Sequence, residues 1–307
     1  MEVIVHRAGM MTTVQDLGRT GHRAAGVPLG GAMDPFALRV ANLLVGNPEN
    51  TAALEFTLRG PEVEFSAETL IAVGGGDFDA VPRWQPTTVP AGSRLDFGPA
   101  RSGCRGYLAI AGGFDIRSVL GSRSTYLRAG LGGHEGRALR DGDVLPAPGI
   151  VRSILGRWHI DDRILPAYGS SPTVRVVPGA QGEEFDPAFL NGSFSVSAKS
   201  DRMGVRLSGP VLQRKVTADL VSATVLPGTV QVPPDGQPII LMADAQTIGG
   251  YPQIAHVVSV DLPLVAQLRP GDTVRFDEVT LAEAHELARA RERQLGMLHE
   301  GLAQKLR

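Results

Sequence analysis

Thr13-Val14-Gln15-Asp16-Leu17-Gly18-Arg19-Thr20-Gly21, running on to Gly30-Gly31-Ala32-Met33-Asp34-Pro35, puts an acid, a base, an amide and several glycines into one loop that empties into a helix. Asp34 suits the N-cap, where a short carboxylate accepts from the orphan N–H groups of the first turn. Pro35 suits the first helical position, where its missing N–H costs nothing. Leu38, Ala41, Leu44 and Val45 then repeat at the three-to-four spacing of a buried stripe. Gly46 can end the helix in a left-handed turn, and Asn47-Pro48 blocks its continuation. A short strand over 53–58 is predicted next.

Outward from this stretch, long helical periodicities are rare. Short runs rich in Val, Ile, Leu and Phe alternate with turn residues. Examples are Glu62-Val63-Glu64-Phe65, Thr69-Leu70-Ile71-Ala72-Val73, Tyr107-Leu108-Ala109-Ile110-Ala111, Thr173-Val174-Arg175-Val176-Val177 and Thr273-Val274-Arg275-Phe276. This is the pattern of a mostly β protein, a sandwich or a barrel. Leu139-Arg140-Asp141-Gly142-Asp143-Val144 echoes Leu268-Arg269-Pro270-Gly271-Asp272-Thr273-Val274, each with a Gly-Asp turn directly before a strand. The echo implies two related halves, 1–150 and 173–307, joined by a Pro- and Gly-rich region at 151–172. The second half ends in a helix. Thr280-Leu281-Ala282-Glu283 is a capping box, and Leu281, Ala284, Ala288, Leu295, Leu298 and Leu302 follow on one face. Gly296 and Gly301 weaken its last turns.

Bulk properties exclude several classes. At 307 residues with a formal charge of −2, the chain lacks the basic excess of a nucleic-acid surface. Its single cysteine, Cys104, cannot form an internal disulfide and reads as a buried structural thiol. Met1-Glu2-Val3-Ile4-Val5-His6 reads as a first strand and not as a signal peptide, and no window reaches membrane-spanning length. A cytoplasmic protein with no membrane partner is expected. There is no P-loop. Gly74-Gly75-Gly76-Asp77 lacks the third glycine of a dinucleotide fingerprint and reads as a tight turn. The histidines have neither His-x-x-x-His spacing nor a Cys-x-x-Cys partner, so no metal site is expected.

The opening stretch resembles the start of the biotin-dependent carboxyltransferase family, also called allophanate hydrolase subunit 2, the kinase-inhibitor antagonist family or the 5-oxoprolinase C-subunit family. Further blocks resemble it in family order: Val119-Leu120-Gly121-Ser122-Arg123-Ser124-Thr125 through Gly133, then Ser200-Asp201-Arg202-Met203-Gly204-Val205-Arg206-Leu207. Gln231-Val232-Pro233-Pro234-Asp235-Gly236-Gln237-Pro238 follows, then Asp244-Ala245-Gln246-Thr247-Ile248-Gly249-Gly250-Tyr251-Pro252. The resemblance implies two tandem cyclophilin-like β barrels. It implies one component of an ATP-dependent 5-oxoprolinase, using ATP and Mg2+ in the complex. Two further subunits, of types A and B, are implied as partners, the B type being kinase-inhibitor-like. The same resemblance admits a carboxyltransferase acting on urea or a similar amide, and a non-catalytic regulatory binding protein. No Ala-Met-Lys-Met sequence is present, so no covalent biotin is expected on this chain. Where the family often has a lysine after the Tyr-Pro pair, this chain has Gln253.

The residues able to carry chemistry lie in these glycine-rich loops. Asp16, Asp201 and Asp244 are candidates for proton or magnesium handling, and Arg19 and Arg202 for holding carboxylate or phosphate. Arg123 is a further candidate anion holder. Asp16 and Arg19 can equally pair and pin the loop. Glu55 sits in an apolar strand, suited to proton transfer or satisfied by a partner. Gln231, Gln246 and Thr247 offer amide and hydroxyl groups that can read a lactam or urea-like substrate, and Tyr251 can stack or hydrogen-bond.

Overall fold

The computed structural model describes residues 1–150, 159–216, 218 and 220–305. Of the expected connection at 151–172, residues 151–158 lie outside the described residues. The chain divides into two compact units. One comprises Met1–Arg19, Gly30–Leu165 and Arg293–Arg307; the other comprises Thr20–Leu29 and Pro166–Glu292.

The first unit is built from two antiparallel sheets. One runs in the order Arg94–Asp96, Glu62–Phe65, Glu2–Arg7, Val144–Pro146. The other runs Thr12–Gln15, Ala53–Thr57, Ser102–Ile110, Thr69–Asp77, Pro86–Val89. Alternation drives the first sheet: Val3, Val5, Val63 and Phe65 point to the core while Glu62 and Glu64 stay at its surface. Phe56 anchors the core, with the Phe78 and Phe97 rings 4.7 and 4.8 Å from its own.

The helix expected after Asp34 spans Pro35–Leu44, capped by the Asp34 carboxylate accepting from Ala37 N. Gly46 follows at a φ of 73°. Gly74-Gly75-Gly76 departs from the sequence expectation. It is not a turn but the interior of strand Thr69–Asp77. A Cβ at Gly74 would fall 2.7 Å from the Ala37 carbonyl, so the glycine lets helix and strand approach.

The second unit is a closed seven-stranded barrel: Thr173–Pro178, Gln253–Val257, Thr229–Gln231, Ile239–Leu241, Gly204–Ser208, Phe194–Val196, Thr273–Glu278. A parallel pairing of Thr173–Pro178 with Thr273–Glu278 closes it; the other pairings are antiparallel. Phe276 packs against Phe189 with ring centroids 4.3 Å apart. A separate two-stranded ribbon joins Ala223–Thr224 to Ile248–Gly249.

The terminal helix spans Leu281–Ala303 and begins with the expected capping box. Thr280 N donates to Glu283 Oε2 at 2.8 Å and Glu283 N to Thr280 Oγ1 at 3.2 Å. Leu295 and Leu302 are buried, whereas Leu281 is exposed. Gly296 and Gly301 lie inside the helix without ending it.

Candidate functional site

In the first unit, three expected residues meet at one loop junction. Asp16 follows the strand Thr12–Gln15. Its Oδ1 accepts from Gly18 N at 2.8 Å, Ser122 Oγ at 2.6 Å and Ser124 Oγ at 2.5 Å; its Oδ2 accepts from Arg123 N at 2.6 Å. A buried carboxylate is tolerated when donors fill its lone pairs. Here the donors come from the two loops that Asp16 ties together. Arg19 is buried beside it, and its Nη2 donates to the Ser124 carbonyl. The Arg123 side chain is exposed and donates from Nε to the Ile116 carbonyl at 2.8 Å.

Glu55 lies apart from that junction. Its Oε2 accepts from Met33 N at 2.8 Å and from the Tyr107 hydroxyl at 2.7 Å. Burial, then the nearby Glu55 and Asp34 carboxylates, push the Tyr107 hydroxyl well above the usual phenol range, so it stays a donor.

In the second unit, Arg202 and Asp244 form a buried bidentate pair, Nε to Oδ2 at 2.9 Å and Nη2 to Oδ1 at 3.1 Å. Backbone bonds from Asp244 N to Arg202 O and from Met242 N to Met203 O lock the same two loops. Asp201 is exposed and shapes its own turn, accepting from Met203 N at 2.8 Å. Gln246 Nε2 reaches Gln231 Oε1 at 3.4 Å, and Gln231 Nε2 reaches the Tyr251 carbonyl at 3.3 Å. A Cβ at Gly249 would sit 2.7 Å from Gln231 Nε2, so a side chain there would displace this amide. Thr247 is buried, its carbonyl accepting from Val225 N at 3.2 Å. Gln253 is buried too and donates from Nε2 to the Thr224 carbonyl at 3.3 Å.

A cleft of about 630 Å³ opens where these loops end. Pro233, Pro234, Tyr251 and Pro252 form part of its wall, and buried Phe185, Leu212 and Val232 line it more deeply. Its size is that of a small-molecule site. Two polar residues line it that the sequence reading did not single out, Gln213 and Arg214. Arg214 is oriented by Glu184, Nε to Oε2 at 2.5 Å, and by the Ala218 carbonyl, 2.7 Å from Nη1. The Tyr251 hydroxyl has no hydrogen-bond partner among the described residues and is free to meet a ligand. Of the expected residues, Tyr251 lines the cleft directly; Gln231 supports it from behind. The signal for Arg214 was weak: a basic pair, Arg214-Lys215, in a segment without a family block.

A family model described as carboxyltransferase domain, subdomain A and B, matches residues 25–278. The chain belongs to this family. Among carboxyltransferase-domain relatives, it is 44% identical to the 5-oxoprolinase C subunit of Escherichia coli over 290 residues, 91% of either chain. It is 40% identical to the 5-oxoprolinase C subunit of Haemophilus influenzae, over 91% of this chain and 92% of that one. The same carboxyltransferase-domain fold occurs in the crystal structure of Kluyveromyces lactis urea carboxylase, with a TM-score of 0.89 and 33% identity. That match covers 98% of this chain but only 29% of the larger enzyme. No helix among the described residues is long and apolar enough to cross a membrane.

Proposed function

We propose that this chain is the C-type subunit of a cytoplasmic 5-oxoprolinase, working with the A and B subunits to open 5-oxo-L-proline to L-glutamate. The observation that carries the reading is co-extension: 44% identity over 91% of both this chain and an E. coli protein of that name. The lactam resists hydrolysis because amide resonance protects its carbonyl. ATP, with Mg2+, supplies a phosphoryl group to the amide oxygen and so removes that protection.

The cleft of the second unit is our choice for the part this chain contributes. Its prolines and Tyr251 present flat apolar faces to a small ring, and Arg214 offers a guanidinium to a carboxylate. The Tyr251 hydroxyl can hydrogen-bond the lactam. Arg202, Asp244 and Gln231 act at one remove, fixing the loops that carry Tyr251. In the first unit, Asp16, Arg19 and Arg123 do the same for their own loop junction. The test is Tyr251→Phe in the assembled complex, with glutamate release followed against 5-oxoproline concentration. We expect kcat/KM to fall about tenfold, the worth of one hydrogen bond to substrate, with the melting temperature unchanged. An unchanged kcat/KM would remove Tyr251 from the site.

A second reading has its own support in the match to urea carboxylase over 98% of this chain. In it, the cleft would take a urea-like amide, with carboxybiotin delivered on another chain. Gln253 weighs against it, being a neutral amide where the resemblance leads one to expect a cation. Carboxylation of urea by a complex containing this chain would decide for it.

A further inference from the structure

We infer that Arg23 and Gln253 are positioning residues, which anchor the two-stranded ribbon that sets where Tyr251 stands in the cleft. The inference rests on the reading of this chain as a 5-oxoprolinase subunit whose cleft uses Tyr251. Neither Arg23 nor Gln253 is part of the cleft wall, so each acts through the ribbon.

A ribbon of two strands is marginal by itself. This one pairs Ala223–Thr224 with Ile248–Gly249, and Tyr251 follows two residues later. A Cβ at Gly250 would lie 3.4 Å from Ser222 Oγ, so the two strands stay side by side up to the residue before Tyr251. Ala223 and Thr224 are exposed and Ile248 is 61% exposed, so little packing holds this end. At the other end Val225 is buried beside Leu241 and Ala245, and its N donates to the Thr247 carbonyl at 3.2 Å. One buried residue fixes the root of a ribbon but not its direction.

Two side chains supply the direction. They donate to successive carbonyls of one strand, Gln253 Nε2 to Thr224 at 3.3 Å and Arg23 Nη2 to Val225. Both donors are themselves held. Gln253 opens the barrel strand Gln253–Val257; its N donates to Gln181 Oε1 and its carbonyl accepts from Gln181 N, each at 3.0 Å. Arg23 opens a short helical turn, Arg23–Ala25, in Thr20–Leu29, the segment that belongs to the second unit. Ala25 N on the His22 carbonyl at 3.0 Å and Gly26 N on the Arg23 carbonyl at 2.9 Å close that turn, with Gly26 at a φ of 79°. Donors fixed at two adjacent peptides resist both sliding and rotation of the strand, and the guanidinium bond is charge-assisted. The neutral amide at 253 thus has a task of its own. Rates fall steeply when a group that meets the substrate is displaced, so anchors outside the cleft control turnover within it.

The experiment uses the assembled complex. Arg23→Met keeps the apolar stem and removes the donor, and Gln253→Leu does the same at the second anchor. Amide hydrogen exchange reads the ribbon at 222–225 and 247–250, a melting curve reads the fold, and glutamate release against 5-oxoproline concentration reads the site. We expect ribbon exchange to speed about tenfold in either variant, the worth of one hydrogen bond. We expect kcat/KM to fall about tenfold as well, with the melting temperature unchanged. In a Tyr251→Ala background, Arg23→Met should cost almost nothing further, because it acts through Tyr251. Unchanged ribbon exchange in either variant overturns the paired anchoring. Loss of the fold in either variant makes that residue part of the core and overturns it as well. Faster exchange with unchanged kcat/KM makes the ribbon structural only; it overturns the positioning role and leaves the oxoprolinase reading standing. An Arg23→Met loss that adds in full to that of Tyr251→Ala does the same. A wild-type complex that releases no glutamate overturns the oxoprolinase reading, and the positioning role falls with it.

Discussion

Gly142 and Gly271 hold the same place in two copies of one turn. Their φ angles are 89° and 91°. In the first copy Arg140 N donates to Asp143 Oδ2 at 2.8 Å, and Asp143 N to the Arg140 carbonyl at 3.1 Å. In the second, Arg269 N donates to Asp272 Oδ2 at 2.8 Å, and Asp272 N to the Arg269 carbonyl at 3.0 Å. Each turn also bonds a strand valine through two backbone contacts, Val5 in one unit and Val196 in the other. The faint sequence echo is thus a repeated device for launching a strand.

The repeat predicts equal costs. Nothing lies within 4 Å of a Cβ built at either glycine, so substitution meets strain in the backbone alone. Gly142→Ala and Gly271→Ala should each destabilise by about 1–2 kcal/mol, the cost of a left-handed L-residue. Denaturant melts that put the two values far apart would contradict the equivalence.

The first turn is also acid-sensitive. The Arg137 guanidinium holds the Asp143 carboxyl at about 2, against the opposing effect of burial and with help from Arg140 N. A carboxylate whose folded pKa is depressed stabilises above its unfolded value and loses that contribution as pH falls towards 2. Asp143→Asn should therefore cost about 2 kcal/mol at neutral pH, and the gap to wild type should close between roughly pH 4 and pH 2. A gap independent of pH would show that the charge is not the cause.

Arg202 and Asp244 are committed to each other inside the second unit. The sequence places Arg202 two residues before Gly204, in a turn, and invites the expectation that its loss would harm activity more than stability. Its burial reverses that expectation. Arg202→Ala and Asp244→Ala should each cost about 3–5 kcal/mol by stranding a buried charge. The double variant should lose well under the sum. Additive losses in a double-mutant cycle would mean that the two side chains act independently.

Much of the fold was legible because its signals are local. Asp34-Pro35 announced a helix and Thr280–Glu283 a cap, since each acts within one turn of its own position. The strands at 62–65, 173–178 and 273–278 followed from alternation and β-branched content. Gly74-Gly75-Gly76 misled, because its glycines answer to a helix packed across the strand and not to their own neighbours. The site was less legible for the same reason. Three of the four donors to Asp16, from Ser122, Arg123 and Ser124, lie more than 100 residues away. Arg214 owes its place to a cleft that exists only once the barrel has closed. Family blocks found the loops; only the structure could separate Tyr251, which lines the cleft, from Arg202 and Asp244, which are buried against each other.

As proposed above, this chain would be a required but insufficient part of a 5-oxoprolinase. The direct measurement is glutamate release from 5-oxo-L-proline, with ATP and Mg2+, by this chain alone, by the A and B subunits together, and by all three. Activity is expected only when all three are present, with ATP consumed in step with glutamate formed. Full activity from the A and B pair without this chain, or from this chain by itself, would contradict it.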